Sequence, residues 1–258
     1  MIILEYTDKN KAYEYIFKYH YSNVMPKLNK QYLLVKEDWN EIWIITLGWG
    51  TQPLWTINKL FPKHNLKTEH YLEIWKMCFI PECNNSNFGS RIMKELIKFL
   101  KQNHKEILFL YTLADWIMWK PGYVYQASNF KYIGSFDTLV YLDNNTWEKI
   151  HPRTAKNLCI ENAIFSNKDK IFWLTYDYME YKNISKIQGK MFRYIYPLNK
   201  QAKQILSEYN YNYKNPKTID IKWFEMKSKN KKQIDMPKFN MWLLDWYNKN
   251  NINNFLIK

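Results

Sequence analysis

Residues 107–134 read ILFLYTLADWIMWKPGYVYQASNFKYIG, and the fold turns on how this stretch is divided. Ile107 to Leu110 is a short apolar run that reads as a buried strand, with a small residue and a carboxylate, Ala114-Asp115, just past its end. Trp116 to Gly122 reads as an aromatic loop closed by Pro121-Gly122. Tyr123 to Phe130 has room for two turns of helix, with Tyr123, Ala127 and Phe130 on one face and Gln126 beside them. A further strand follows from Tyr132 to Leu142. Ligands in open α/β sheets bind beyond the carboxyl ends of strands, which is where Asp115 falls. A carboxylate there can equally cap the next turn, and both readings stay open.

The chain before this stretch supplies the rest of a sheet. Ile2 to Tyr6 reads as a strand and Lys9 to Tyr19 as an amphipathic helix carrying Tyr13, Ile16 and Phe17. His20 sits at its end, as a base, a ligand, a stacking group or simply a helix-closing residue. Tyr32 to Lys36 and Ile42 to Gly48 read as antiparallel strands joined by the turn Glu37-Asp38-Trp39-Asn40. Gly48-Trp49-Gly50-Thr51-Gln52-Pro53 is a glycine-bracketed loop suited to a pocket floor, without phosphate-loop spacing. Leu54 to Phe61 reads as a brief helix. Glu73 is a candidate buried carboxylate within the strand Tyr71 to Phe79. The helix expected over Ser86 to Leu100 has the stripe Phe88, Ile92, Leu96 and Leu100. Its start is rich in small and capping residues, so its backbone N–H groups suit a pyrophosphate as well as a cap.

At 258 residues the chain can build one large core with a smaller appendage. Its 12 Trp, 21 Tyr and 14 Phe exclude a disordered class. The cysteines Cys78, Cys83 and Cys159 form no CxxC pair, which argues against a disulfide framework or zinc knuckle and for a reduced, cytoplasmic setting. The amino terminus lacks a long apolar run, so no membrane segment or membrane partner is expected. Residues 1–150 carry 18 basic against 15 acidic side chains, and residues 151–258 carry 20 against 9. A one-sided positive field interleaved with Tyr and Trp is the footprint expected for nucleic acid; its bland counterpart is a lysine-rich surface. The expected organisation is a catalytic core over 1–150 and a basic region over 151–258 that packs on it and contacts DNA. Within that region Lys227 to Lys232 (KSKNKK) reads as an exposed basic loop, and Gln233 to Asn248 as a closing amphipathic helix or docking segment, any helix beginning near Pro237.

The element order resembles the N-acetyltransferase (GNAT-like) fold, a mixed α/β sheet with flanking helices, although the usual glycine-rich cofactor loop is missing. Beyond the order, specific pieces resemble the Mom family of bacteriophage DNA-modification proteins. They are His20-Tyr21-Ser22, Gly48-Trp49-Gly50-Thr51, Glu73-Ile74-Trp75-Lys76-Met77, the helix start near Ser86, Ala114-Asp115 and GYVYQASNF at 122–130. Ile150-His151-Pro152-Arg153 and the segment 189–196 continue the likeness, which spans roughly residues 15–200.

The resemblance implies an enzyme that places a carbamoylmethyl (acetamido) group on the exocyclic amine of adenine in DNA, protecting it from host restriction in the bacterial cytoplasm. It implies Asp115, Tyr125 and His20 as catalytic residues and Ser86, Asn87, Gly89 and Ser90 as a cofactor anion site. Lys120, Arg153, Lys190 and Arg193 would contact phosphates of double-stranded DNA. The implied donor is acetyl-CoA or a related acyl donor. Iron is a further candidate cofactor, with His20, Glu73 and Asp115 as candidate ligands. Trp116, Trp119, Tyr123 and Tyr125 are candidates to receive an extruded base, with core packing as the plain alternative. A homodimer is left open. Two other functions remain in view: a GNAT acetyltransferase acting on another amine, and a phage DNA-binding protein without catalysis.

Overall fold

The structure, a computed structural model, describes residues 1–20, 28–50, 52–79, 87–116, 121–152, 155–227, 230–235 and 237. The chain divides into two compact units. The first comprises 1–114, 122–134 and 192–215, and the second comprises 115–121, 135–191 and 216–258.

The first unit opens with β1 (Ile2–Tyr6) and α1 (Lys9–Tyr19). Asp8 starts α1 by accepting the N–H groups of Asn10 and Lys11, which satisfies donors that a helix start leaves unpaired. β2 (Asn29–Glu37) and β3 (Asn40–Gly48) form a hairpin whose turn residues, Asp38 and Trp39, both have positive φ, 48° and 70°. That is the conformation a two-residue hairpin needs to match strand twist. α2 (Pro53–Leu60) begins on a proline, whose missing N–H costs nothing at that position. β4 (Tyr71–Phe79), α3 (Phe88–Asn103) and β5 (Phe109–Ala114) follow, then α4 (Tyr123–Ala127) and the first residues of β6 (Lys131–Asp143). After β7 (Lys149–Ile150), α5 (Lys156–Phe165) and α6 (Tyr176–Tyr181), β8 (Ile184–Pro197) brings its last residues back, and α7 (Lys200–Ser207) completes the unit.

The strand order here is β1-β2-β3-β4-β5-β8. All neighbours are antiparallel except β4 and β5, which run parallel. A parallel pair needs a long crossover, and α3 provides it. α1 packs Ala12 and Ile16 on Leu34, Ile44 and Cys78. Trp43, the neighbour of Ile44 in β3, meets Phe88 of α3 with ring centroids 5.9 Å apart. Adjacent strand residues point to opposite faces, so α1 and α3 cover the two sides of the sheet. α2 and α7 pack on Tyr71, Phe109, Tyr111 and Ile195. The expected GNAT-like mixed sheet with flanking helices is therefore what the chain builds. One boundary differs: the apolar run expected to end at Leu110 continues to Ala114, because β8 pairs with it out to Ala114↔Phe192.

In the second unit β7 pairs with the end of β6, the start of β8 pairs with β9 (Trp223–Lys227), and β9 pairs with β10 (Asn230–Ile234). Its core gathers Tyr141, Ala155, Leu174, Tyr178, Met179 and Ile184. Trp116 is fully buried, its indole filling the space beside Gly189, where a Cβ would lie 2.2 Å from the ring. The basic stretch expected as a loop over Lys227 to Lys232 is largely strand. Its polar sequence hides the pairing, which joins β9 to β10 through Asn230↔Lys227, Lys231↔Met226 and Lys232↔Glu225. Gln233 and Ile234, the first residues of the span expected to close the chain, belong to β10; of the rest of that span only Asp235 and Pro237 are described. Among the described residues no helix is long and apolar enough to cross a membrane.

Candidate active site

The sheet of the first unit opens where β4 and β5 part. β4 and β5 pair from Tyr71↔Phe109 to Ile74↔Thr112 and no further, although β4 runs on to Phe79 and β5 to Ala114. At the same level β4 slips its register on β3, from Thr46↔Lys76 to Leu47↔Ile74, leaving Trp75 as an extra residue. Such a bulge bends a strand and resets which side its residues face. Glu73 and Lys76 are three apart and would ordinarily point to opposite faces. Here Glu73 lies opposite Gly48 and Lys76 opposite Thr46, two positions on one face of the uninterrupted β3. The bulge thus puts both charged residues on the side covered by α1 and α2.

Both are buried, Glu73 at 5% exposure and Lys76 at 6%. Burial alone raises the Glu73 carboxyl from its ordinary 4.5 to about 8, because an apolar surround disfavours the charged form. Its floor is Gly50, where a Cβ would stand 2.9 Å from Glu73 Oε2. Gly50 is held in place by its neighbours. Trp49 Nε1 donates to the Tyr71 carbonyl at 3.0 Å and Trp75 Nε1 donates to the Trp49 carbonyl at 3.2 Å. Gly48 is required for a different reason, since the Leu28 carbonyl oxygen passes 2.3 Å from where its Cβ would be. The glycine-bracketed loop is a pocket floor in this literal sense. Tyr71 and Tyr111 stand near the carboxylate, and each hydroxyl resists ionisation through burial first and the Glu73 charge second.

Tyr125 approaches the same opening from the other face. It is buried, its ring lies 5.6 Å from Phe130 and 5.5 Å from Tyr194, and its hydroxyl shares a hydrogen bond with Thr112. Thr112 Oγ1 donates to the Ile74 carbonyl at 3.4 Å, so this chain of groups ends at the last paired residues of β4 and β5. Burial pushes the Tyr125 phenol upward, keeping it protonated at neutral pH. Gln126 Nε2 donates to the Tyr194 hydroxyl at 2.9 Å, fixing the turn from the adjacent position.

α3 begins near this region with Asn87 in the left-handed conformation and no acidic residue in its first turn, an arrangement that leaves the positive end of the helix uncompensated. Gly89 serves packing there: a Cβ would meet Val124 Cγ2 at 2.9 Å and Trp43 at 3.7 Å. The Ser90 hydroxyl donates to the Asn87 carbonyl at 2.8 Å and closes the first turn. The fourth residue of the expected anion site, Ser86, lies outside the described residues, as do Lys120, Arg153 and Trp119.

His20 closes α1, its N–H donating to the Ile16 carbonyl, and its Nδ1 lies 3.5 Å from Lys76 Nζ. Asp115 belongs to the second unit, where its charge acts on Lys149; burial lowers that lysine and Asp115 opposes the shift. Lys190 is exposed in β8, and Arg193 is half-buried in the part of β8 that belongs to the first unit. Among the described residues no group of three or more His, Cys, Asp or Glu side chains stands close enough to hold a metal ion. Trp116 is core and Tyr125 is buried, whereas Tyr123 is 37% exposed. The sequence marks Glu73 as a candidate buried carboxylate and metal ligand and the loop around Gly50 as a pocket floor, but does not single out Tyr71 or Tyr111, or the contact of Gly50 with Glu73. The available signal was a carboxylate at the centre of an apolar strand, followed by Trp75, whose place in the sheet is set by its partner strand.

A mixed sheet with one parallel pair, a helix crossing between its members and a parting where the pair ends has the arrangement of a GNAT-like α/β fold. The chain belongs to the Mom protein family, whose sequence model matches residues 1–217. Comparison with curated proteins finds no match. Among solved structures it is similar to IAA acetyltransferase from Bacillus cereus, at 10% identity over 76% of this chain and 99% of that one, with a TM-score of 0.41. It is similar to the ribosomal-protein-S18-alanine N-acetyltransferase from Escherichia coli at 6% identity, over 77% and 95% of the two chains, with a TM-score of 0.39. An aminoglycoside acetyltransferase in complex with coenzyme A matches at 10% identity over 53% of this chain and 87% of that one, TM-score 0.39.

Proposed function

We propose that this protein is a DNA-modifying transferase that adds a carbamoylmethyl (acetamido) group to the exocyclic amine of adenine, so that phage DNA resists host restriction. The observation that carries the reading is membership of the Mom family across residues 1–217, on a fold whose parted strands hold a buried, protonatable carboxylate. A net charge of +14 concentrated in the carboxyl-terminal part supports DNA as the partner, with Lys190, Arg193 and the basic β9–β10 hairpin as contacts. A group on the adenine amine projects into the major groove, where restriction enzymes read that base.

Glu73 is the acid–base residue of this reading. Largely protonated at neutral pH, it becomes competent to accept the amine proton as pH approaches 8. The adenine amine is a weak nucleophile because its lone pair is delocalised into the ring, so a proton acceptor fixed against Gly50 has a clear use. Tyr125 keeps its proton and offers a hydrogen bond from the opposite face of the opening. The α3 start, with Asn87 and the backbone of Gly89 and Ser90, would seat the pyrophosphate of an acyl-CoA donor, whose chemistry is to present an activated carbonyl. The product is joined through a methylene carbon, a bond that acyl transfer does not form: the N–C bond to adenine requires a donor carbon from which a leaving group departs with its electron pair as Glu73 takes the amine proton. Asp115, in the second unit, is the carboxylate whose charge acts on Lys149.

Nucleoside mass spectrometry of DNA from cells making the protein tests this directly. Wild type is expected to yield a new adenine-derived nucleoside and resistance to adenine-reading restriction enzymes, and Glu73→Gln to yield neither. Unmodified DNA in the presence of folded wild type, with label passing from acetyl-CoA to a small amine, would replace this function with that of an ordinary acetyltransferase.

A further inference from the structure

Tyr209, Tyr211 and Tyr213 alternate along an extended segment of the first unit and stack on one another. Their ring centroids are 6.0 Å apart at 14° and 6.5 Å apart at 29°. The two inner rungs are fastened: the Tyr209 hydroxyl accepts the Lys63 N–H at 3.1 Å, and the Tyr211 hydroxyl donates to the Leu60 carbonyl at 2.5 Å. The outer rung differs. Tyr213 is 55% exposed, and its hydroxyl makes no hydrogen bond to a described residue. Its ring is steadied by Tyr132, edge to face at 5.8 Å, and by Gly134 in β6. Gly134 has φ +98° and no side chain, and the site where its Cβ would stand is 3.5 Å from the Tyr213 ring and 3.6 Å from the Arg193 guanidinium. A Cβ at 134 would rest in ordinary contact with both groups, so the positive φ is what favours glycine here, and its bare backbone is what the phenol ring and the cation share.

We infer that Tyr213 and Arg193, brought together over Gly134, form a nucleotide-contacting station at the edge of β6, the phenol stacking on a base and the guanidinium meeting the adjoining phosphate. An exposed aromatic face beside an arginine is the pairing that single-stranded nucleic acid favours, since every base has a π-face and every nucleotide a charge. The station also lies within electrostatic reach of the reacting region, because the charges of Arg193 and Glu73 both act on Tyr111. A base drawn from a duplex would thus meet an aromatic surface close to the groups proposed to modify it. The inference rests on the reading of this protein as one that acts on DNA.

The test uses the full-length protein and a single-stranded oligonucleotide carrying one 2-aminopurine in place of adenine. Stacking on a ring quenches this fluorophore. Wild type and Tyr213→Phe are expected to quench it equally, whereas Tyr213→Ala loses most of the quenching and binds about tenfold more weakly. The steady-state signature is a raised KM for DNA with kcat retained. Tyr213→Ala that quenches and binds like wild type would overturn the station, even if DNA is still modified. The converse result, quenching lost in Tyr213→Ala while wild type modifies no adenine, would uphold the station and remove the proposed reaction. Should Tyr213→Ala not fold, photocrosslinking wild type to an iodouracil-bearing oligonucleotide decides: adducts at Tyr213 support the station, and adducts only elsewhere refute it.

Discussion

Glu73 concentrates the chemistry of the first unit in one side chain, and its consequences can be measured without knowing the donor. A carboxyl held at about 8 when folded and near its ordinary 4.5 when unfolded binds its proton more tightly in the native state. Its contribution to stability is therefore complete below about 4.5 and is lost as pH rises towards 8, at about 1.4 kcal/mol per pH unit. Urea unfolding between pH 5 and 8 should show stability falling by about 4 kcal/mol from this group, and Glu73→Gln should flatten that slope. A wild type whose stability rises across this window would mean that Glu73 is ionised and compensated. Gly50→Ala probes the same carboxylate from below. Gly50 has no positive φ, and among the described residues the added methyl meets the Glu73 carboxylate, with Oε2 2.9 Å away. Displacing that oxygen by about an ångström should cut turnover about a hundredfold. The midpoint of thermal unfolding should barely move, because the backbone is unstrained. The sequence exposed the carboxylate and the glycines separately. What it could not reveal is that residues 23 positions apart meet, since that follows from the pairing of β3 with β4.

At the scale of elements, the legible parts were those whose signal is local. α1 shows its cap and apolar spacing, the β2–β3 hairpin its turn residues, and α3 its stripe, with Ile92, Leu96 and Leu100 all buried. The bulge at Trp75 is defined by its partner strand, and the extension of β5 to Ala114 depends on β8, some eighty residues later. Neither can be read from a window around the strand itself. α4 shows how a local signal and a remote constraint combine. Gly122 precedes it at φ +90°, and a Cβ there would lie 2.6 Å from the Tyr194 ring and 3.0 Å from both Ala114 and Tyr125. The Pro-Gly punctuation announced a turn, but the crowding comes from β8 and β5. Gly122→Ala should lose about 2–4 kcal/mol in urea denaturation, from left-handed strain together with overpacking. It should also displace Tyr125 from Thr112. A variant as stable as wild type would show that the ring of Tyr194 can yield.

For the whole molecule the informative quantity is charge, because it acts whatever the detailed docking. The carboxyl-terminal part has 20 basic against 9 acidic residues, and the β9–β10 hairpin displays some of them in a strand that is exposed along most of its length. Lys227 is partly compensated by Glu225 at 3.6 Å, whereas Lys231 lies 4.2 Å over the Phe224 ring. A two-stranded ribbon fits the DNA major groove, and its lysines would exchange counterions for phosphates on binding. If Lys231 and Lys232 both contact phosphates, Lys231→Gln with Lys232→Gln should reduce the slope of log affinity against log salt by about two. The loss of affinity should be similar for every DNA sequence, since phosphates carry no base information. Exposed lysines add little to folding, so the unfolding midpoint should stay within a degree or two of wild type. An unchanged salt slope would return these lysines to a solubilising role and limit the DNA-facing charge to other parts of the chain. A slope that falls while modification of adenine persists at low salt would separate the two tasks: the ribbon holds the duplex, and the parted strands around Glu73 carry out the reaction.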